Sequence, residues 1–305
     1  MPPTREERFA GSLFGLALGD AIGAPYEGGP LSGFLWQLIG AGERGKLRWT
    51  DDTQMTMVLT EHLGARSVPD PDVLAREWAN AMESRRGYGP GSRRLLTRIA
   101  SGEDWRDVNR SIWPEGSMGN GAAMRAAPFG LRWSEDREAR SRWVYETSRI
   151  THAHPLGIDG AHLIADAVSR ALHAEESAPD FLEALAEETQ SRPFVEKLRQ
   201  AVRWGADPVT PARAAAELGC SVLALESVPA ALYAGARFAE RRDFDGMMRF
   251  IIAMGGDVDT IGAMAGSVFG ARCGVGALPP ERLVELEAKT RLEAAAIALY
   301  KRSAQ

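Results

Sequence analysis

Apolar residues recur at three- and four-residue spacing along most of this chain, the period of helices that bury one face. The pattern is clear in Val73–Met82, Trp143–Ile150, Ala161–Leu172, Phe181–Leu185 and Leu283–Tyr300, and each segment predicts a helix. From Phe9 to Leu18 the chain is almost continuously apolar, which predicts a helix buried all round. Alternation with a period of two, the mark of a half-buried strand, is hard to find over four or more residues, and β-branched residues are sparse. The expectation is an all-α fold, with many helices of moderate length joined by loops. Glycine and proline punctuate those loops at Gly28-Gly29-Pro30, Gly87-Tyr88-Gly89-Pro90-Gly91, Trp113-Pro114-Glu115-Gly116 and Leu278-Pro279-Pro280. No Ser/Gly-rich linker or low-complexity tract divides the chain, so residues 1–305 are read as one domain.

Two of the expected helices carry a stripe of glycines. Gly11, Gly15, Gly19 and Gly23 lie four apart, and so do Gly262, Gly266, Gly270 and Gly274. Residues four apart share a helix face, and each glycine there costs up to about 1 kcal/mol against alanine. Close approach of another backbone is the physical reason to accept that cost. Both helices are therefore expected at the centre of the fold, and each runs beside a carboxylate-rich segment.

Composition narrows the class. With 45% hydrophobic residues the chain can bury a real core. Its 36 basic and 41 acidic residues leave a net charge of −5, which argues against nucleic acid as the main partner. Cys220 and Cys273 are the only cysteines and show no metal-like spacing, so neither a disulfide framework nor a thiolate zinc site is indicated, and a reducing compartment fits. Arg5 and Arg8 ahead of Phe9–Leu18 could pass for a signal peptide. Glu6 and Glu7 spoil its positive region, however, and Asp20 stands where the apolar stretch should continue. The run also falls far short of the roughly 20 apolar residues of a membrane span. We read it as a retained, buried first helix and expect a cytoplasmic protein without membrane attachment.

The candidate chemistry lies in two acidic clusters. Trp49-Thr50-Asp51-Asp52-Thr53 precedes the helical pattern Met55, Val58, Leu59 and Leu63, and Gly255-Gly256-Asp257-Val258-Asp259-Thr260 precedes the second glycine-striped helix. Each sets two carboxylates and a threonine hydroxyl at a helix N-terminus. Capping accounts for one such side chain per helix, whereas each cluster offers three oxygen donors. Carboxylates gathered together repel unless a cation neutralises them, and oxygen-only donors suit Mg²⁺, Mn²⁺ or Ca²⁺ rather than zinc or copper. A third acid, Glu27, follows the first glycine stripe and is a candidate base or metal ligand.

At these residues the sequence resembles the ADP-ribosylglycohydrolase family. The motifs that carry the resemblance are Gly15–Glu27, Trp49–Thr53, Ser117-Met118-Gly119-Asn120-Gly121-Ala122-Ala123-Met124-Arg125, Thr151-His152-Ala153-His154-Pro155 and Gly255–Gly262, in that order. The resemblance spans roughly Phe9 to Gly276 and implies an orthogonal all-α bundle with two divalent ions, Mg²⁺ or Mn²⁺. By position it implies Thr50, Asp51 and Asp52 as one metal-binding motif and Asp257, Asp259 and Thr260 as the other, with Glu27 as a mobile glutamate near the metals and substrate. It further implies Ser117, Met118, Gly119 and Asn120 as a loop cradling ADP-ribose, His152 as a ribose or phosphate contact, and Gly87-Tyr88-Gly89 as a second substrate loop through Gly89. Met118 stands where some relatives carry an aromatic. A Gly-Asn-Gly turn opening a helix would offer backbone N–H groups to a diphosphate.

The expected activity is metal-dependent hydrolysis at the anomeric carbon of ADP-ribose carried on a protein side chain, by a monomer, with arginine linkage the first reading. Serine-linked ADP-ribose and O-acetyl-ADP-ribose are alternatives within that chemistry. Catalysis is assigned to Glu27, Asp52 and Asp257, one of which would exchange protons with water or the leaving group. Two other classes compete. Asp257-Val258-Asp259-Thr260-Ile261 nearly fits the Asp-x-Asp nucleophile motif of a haloacid dehalogenase-type phosphatase, which requires a preceding β-strand. A non-catalytic binding protein could also keep this fold, although the intact set of acids argues against one.

Overall fold

The computed structural model describes residues 2–27, 36, 46–173, 176–205 and 209–304; the expected loop at Gly28-Gly29-Pro30 lies outside them. The described residues form sixteen α-helices and no strand, so the fold is all-α. In chain order they are α1 Arg5–Gly23, α2 Asp51–Ala65, α3 Pro71–Ala81, α4 Pro90–Ala100, α5 Trp105–Ile112, α6 Ala127–Arg132, α7 Arg137–Ser148 and α8 Pro155–Ala171. There follow α9 Ala178–Glu188, α10 Arg192–Val202, α11 Pro211–Leu218, α12 Ala224–Ala239, α13 Phe244–Met254, α14 Val258–Cys273, α15 Pro280–Glu285 and α16 Lys289–Ser303. No helix among the described residues is long and apolar enough to cross a membrane.

The two glycine stripes meet as a seam between α1 and α14. A Cβ on Gly15 would lie 2.2 Å from the carbonyl oxygen of Gly266, and one on Gly19 would lie 2.0 Å from that of Gly262. Gly11 faces Gly270 and Gly23 faces Asp259 in the same manner, so the helices run antiparallel with backbones in direct contact. Both are buried over nearly their whole length. Thr4 starts α1 with a reciprocal capping box to Glu7. Arg8 is held inside by the carbonyls of Ala171, Ala271 and Arg272, which lie in the last turns of α8 and α14.

The antiparallel seam has a consequence for function. It brings the last turn of α1, which holds Asp20, and Glu27 just beyond the helix onto the N-terminal end of α14, where Asp257 and Asp259 lie. Asp20 then reaches across to the start of α2. Its buried carboxylate accepts the N–H groups of Thr50 at 2.9 Å and Thr53 at 3.0 Å, and the Thr53 hydroxyl at 2.5 Å. An anion is thus seated at the positive end of α2.

The described elements depart from the sequence pattern in three places. The expected helix over Leu283–Tyr300 is two helices, α15 and α16. Leu47 inserts an isolated bridge between them, donating its N–H to Glu285 and accepting that of Glu287, and Ala288 takes a left-handed conformation at φ 53°. Apolar periodicity continues through such a break because both helices cover the same core. The helix expected over Trp143–Ile150 begins earlier, at Arg137, and ends at Ser148. Finally, the Gly-Asn-Gly turn does not open a helix. Residues 120–125 form consecutive turns, and α6 begins only at Ala127.

Candidate active site

An open cleft lies where α1, α2 and α14 converge. Its walls carry Glu27, Asp51, Asp52, Asp257, Asp259 and Thr260, so the two acidic clusters, some two hundred positions apart in the chain, share one site. Carboxylate oxygens of Glu27, Asp257 and Asp259 all lie within 4.8 Å of one another. The local backbone explains how the second cluster is aimed. Gly255 and Gly256 both have positive φ, at 73° and 77°, and a Cβ on Gly256 would collide with the carbonyl oxygen of Cys220 at 1.9 Å. That turn leaves Asp257 at the N-cap of α14 without any capping hydrogen bond from its side chain. Its carboxylate is instead gripped by the side-chain amide of Asn120, which also donates to the Ser227 hydroxyl.

Thr50 caps α2 by accepting the Asp52 N–H, which leaves the Asp51 and Asp52 carboxylates free of capping duty. Both Asp52 and Asp259 are almost fully buried, and Oδ2 of Asp52 has no hydrogen-bond partner among the described residues. Burial in the company of other acids pushes every one of these pKa values up. Burial lifts Asp51 to about 8, helped by Asp20, Glu27 and Asp257. Asp52 and Asp259 stand well above the carboxylate range, through burial first and neighbouring acids second. Asp257 is raised by burial against the opposing bond from Asn120, and Glu27 by burial and the charge of Asp257. Asp20 reaches only about 6, because the hydrogen bonds from Thr50 and Thr53 oppose its burial. A buried, unpartnered carboxylate oxygen among mutually repelling acids is the electrostatic complement of a hard cation. The donor set therefore fits divalent metal ions.

The other wall is built from loops. Gly89 stands at the N-cap of α4, whose first turn has no side-chain cap, and it lines the cleft together with Ser92. Gly119, Asn120 and Gly121 form the facing edge. Two of the backbone N–H groups expected there for a diphosphate are already used: Asn120 donates to the Val222 carbonyl and Gly119 to the Ser117 hydroxyl. His152 also lines the cleft, with its ring packed on Gly121, and burial followed by the charge of Arg125 drives its pKa down to about 3. His154, two residues on, caps α8 by accepting the Leu156 N–H. Thr50, Ser117 and Met118 stand outside the cleft wall. Ser117 braces its own loop, and Met118 is 45% exposed on the outer side, where its carbonyl accepts the Ala224 N–H.

Two residues that shape the site have no role in the sequence reading. Asp20 is visible there only as an acid interrupting an apolar run, which was itself the signal. Arg125 ends the Ser117–Arg125 motif without a role, yet it is buried against the Trp78 ring and lines the cleft. The phosphatase reading fails at its own requirement: the element before Asp257 is helix α13 and not a strand.

Comparison with known proteins bears on the class. Residues 1–305 match the ADP-ribosylglycohydrolase family. The chain is 33% identical to the ADP-ribosylhydrolase ARH3 of Bos taurus over 89% of its own length and 86% of the relative's. It is 30% identical to that of Danio rerio over 96% and 90%. A solved structure titled "ADP-ribosylglycohydrolase-related protein complex" superposes with a TM-score of 0.73 at 29% identity, covering 98% of this chain and 99% of that one. An all-helical fold with a carboxylate-lined cleft is thus the scaffold of a glycosyl hydrolase. The chain belongs to the ADP-ribosylglycohydrolase family.

Proposed function

We propose that this enzyme hydrolyses the glycosidic bond at the anomeric carbon of ADP-ribose attached to a protein side chain, using two divalent ions, Mg²⁺ or Mn²⁺. The observation that carries the reading is the meeting of the α2 and α14 N-termini, with Glu27, in one cleft. Asp51 and Asp52 from one cluster and Asp257, Asp259 and Thr260 from the other would hold the ions, while Thr50, the remaining member of the first motif, lies outside the cleft wall with its hydroxyl capping α2. When bound, they supply Lewis acidity toward ribose hydroxyls and water and offset the gathered negative charge.

The remaining chemistry belongs to the chain. Bond cleavage at an anomeric carbon develops oxocarbenium-like positive charge, and the carboxylates around the cleft stabilise it. Glu27 is the exposed member of the acidic group, at the mouth, and its raised pKa suits a residue that gives a proton to the leaving group and takes one from water. Asp52 and Asp257 are the other candidates. Asp257 is fixed by Asn120, which favours a holding role, and Asp52 presents the unpartnered oxygen. Gly89, Gly119 and Asn120 border the space for the ADP-ribose, and His152 contributes a neutral imidazole beside them.

Arginine linkage is the first form to test, because a guanidinium leaving group would meet the Glu27 carboxylate at the mouth. The experiment is incubation with proteins ADP-ribosylated on arginine and on serine, and with O-acetyl-ADP-ribose, with and without chelator. Release of ADP-ribose that stops on chelation is expected. No release from any of the three at saturating Mg²⁺ and Mn²⁺ would overturn the reading.

A further inference from the structure

His152 sits at the end of a short relay that decides which of its ring nitrogens carries the proton. Arg125 Nη2 lies 2.7 Å from the Thr151 hydroxyl, and that hydroxyl lies 2.8 Å from His152 Nδ1. Guanidinium groups only donate, so the Thr151 oxygen is the acceptor in the first contact. The hydroxyl has one proton of its own, and the imidazole nitrogen is the acceptor within reach of it. With that proton directed at Nδ1, the nitrogen is unprotonated and a neutral imidazole carries its hydrogen on Nε2. That nitrogen is turned to the cleft loop: it lies 2.9 Å from where a Cβ on Gly121 would be and 3.2 Å from one on Gly119. The same guanidinium, through Nη1, holds the Gly121 carbonyl at 2.7 Å, so one buried arginine sets both the loop and the ring beside it.

We infer that Arg125 and Thr151 are positioning residues that lock His152 as a neutral Nε2–H donor, so that the ligand group placed against it must be an acceptor, a phosphate or ribose oxygen. This builds on the ADP-ribose reading of the cleft. Burial and the neighbouring Arg125 charge keep the imidazole neutral, so the donor does not depend on protonation at physiological pH. Fixing the tautomer through the far nitrogen has the same logic as the partners that orient metal-ligating and catalytic histidines. The locked donor would grip the ligand equally before and during reaction, so it should act on binding and leave the chemical step alone.

Two measurements test this. Long-range ¹H–¹⁵N correlation of the histidine rings in the wild-type protein should show His152 with protonated Nε2 and bare Nδ1, unchanged from pH 6 to 8. Thr151→Val keeps the side-chain shape but removes the hydroxyl, and should weaken binding of free ADP-ribose, and raise KM, about tenfold, the worth of one hydrogen bond to an anion. In that variant kcat should hold within about twofold, and Thr151→Ser should restore binding. A protonated Nδ1 in the wild type, or a Thr151→Ser protein as weak as Thr151→Val, overturns the inference. Failure of the wild type to bind ADP-ribose while the Nε2–H form is observed would count against the proposed substrate and leave the relay standing.

Discussion

Replacing Gly19 with alanine sets two opposing effects against each other. Alanine in place of glycine inside a helix is worth up to about 1 kcal/mol through propensity alone. In the seam, however, the new Cβ would lie 2.0 Å from the Gly262 carbonyl oxygen and 2.4 Å from its carbon. Real Cβ contacts essentially never fall under 3.0 Å, so α1 and α14 must part by about 1 Å (3.0 less 2.0) at that point. The obstructing atoms are backbone in a buried helix, which cannot swing aside as a side-chain tip can. Overpacking a core costs typically about 1–3 kcal/mol, and a backbone collision belongs at the upper end. The net expectation is a loss of about 1–2 kcal/mol in urea unfolding, with Gly276→Ala, where a Cβ meets nothing within 4 Å, close to neutral. The displacement falls at the end of the seam that holds Asp20 and Asp259, so Mn²⁺ affinity should drop with it. A Gly19→Ala protein as stable as the wild type or more so, with unchanged Mn²⁺ affinity, would refute the close-packed seam as the device that assembles the site.

Further outcomes follow from the acidic cluster. Asp257→Ala and Asp51→Ala should each abolish turnover and metal-induced stabilisation while helical circular dichroism persists; turnover in either at saturating Mg²⁺ would contradict the assignment. Asp20→Ala removes the acceptor of two backbone N–H groups and a hydroxyl at the start of α2 and should cost about 2 kcal/mol in thermal or urea unfolding. It should also weaken metal binding although Asp20 is not assigned as a ligand, and unaltered affinity would leave it a purely structural cap. In chelator, stability should depend on pH with a definite sign. Asp51 folds with its pKa raised to about 8 from 3.8, so the native state holds more protons than the unfolded one between those values. Stability is then fully present at low pH and is lost as pH rises from about 4 to 8. Melting in chelator that rises over that interval would show that the acids are not crowded together as described.

The helical class and most elements were legible because amphipathic periodicity records burial, and burial decides helices in a packed core. The glycine stripes were informative for a different reason. Glycine is costly in a helix, so four at one spacing on α1 and three on α14, continued by Gly274 at its C-cap, announce a backbone contact in the sequence alone. What periodicity could not show was the division of Leu283–Tyr300, because the break is made by Leu47 from a distant part of the chain. The acidic clusters were visible as excess donors at helix starts, but their meeting in space is a tertiary fact. It depends on the antiparallel direction of the seam, which a four-residue repeat does not encode. Asp20 was read only as a blemish in an apolar run, and a buried acid in such a run is a partner in search of donors. The Gly119–Gly121 loop misled for a related reason. Its sequence suits an N-terminal anion site, but Val222 and Ser117 take two of the N–H groups that such a site would use.

The most direct test is titration of the chelator-treated protein with Mn²⁺ by calorimetry, in the wild type and in Asp52→Asn and Asp257→Asn proteins of matched folding. Because one asparagine lies at the start of α2 and the other at the start of α14, joint coordination requires that each change alone weaken saturable binding by at least about tenfold. Binding that survives intact in either variant would mean the two helix tips do not hold the ions together.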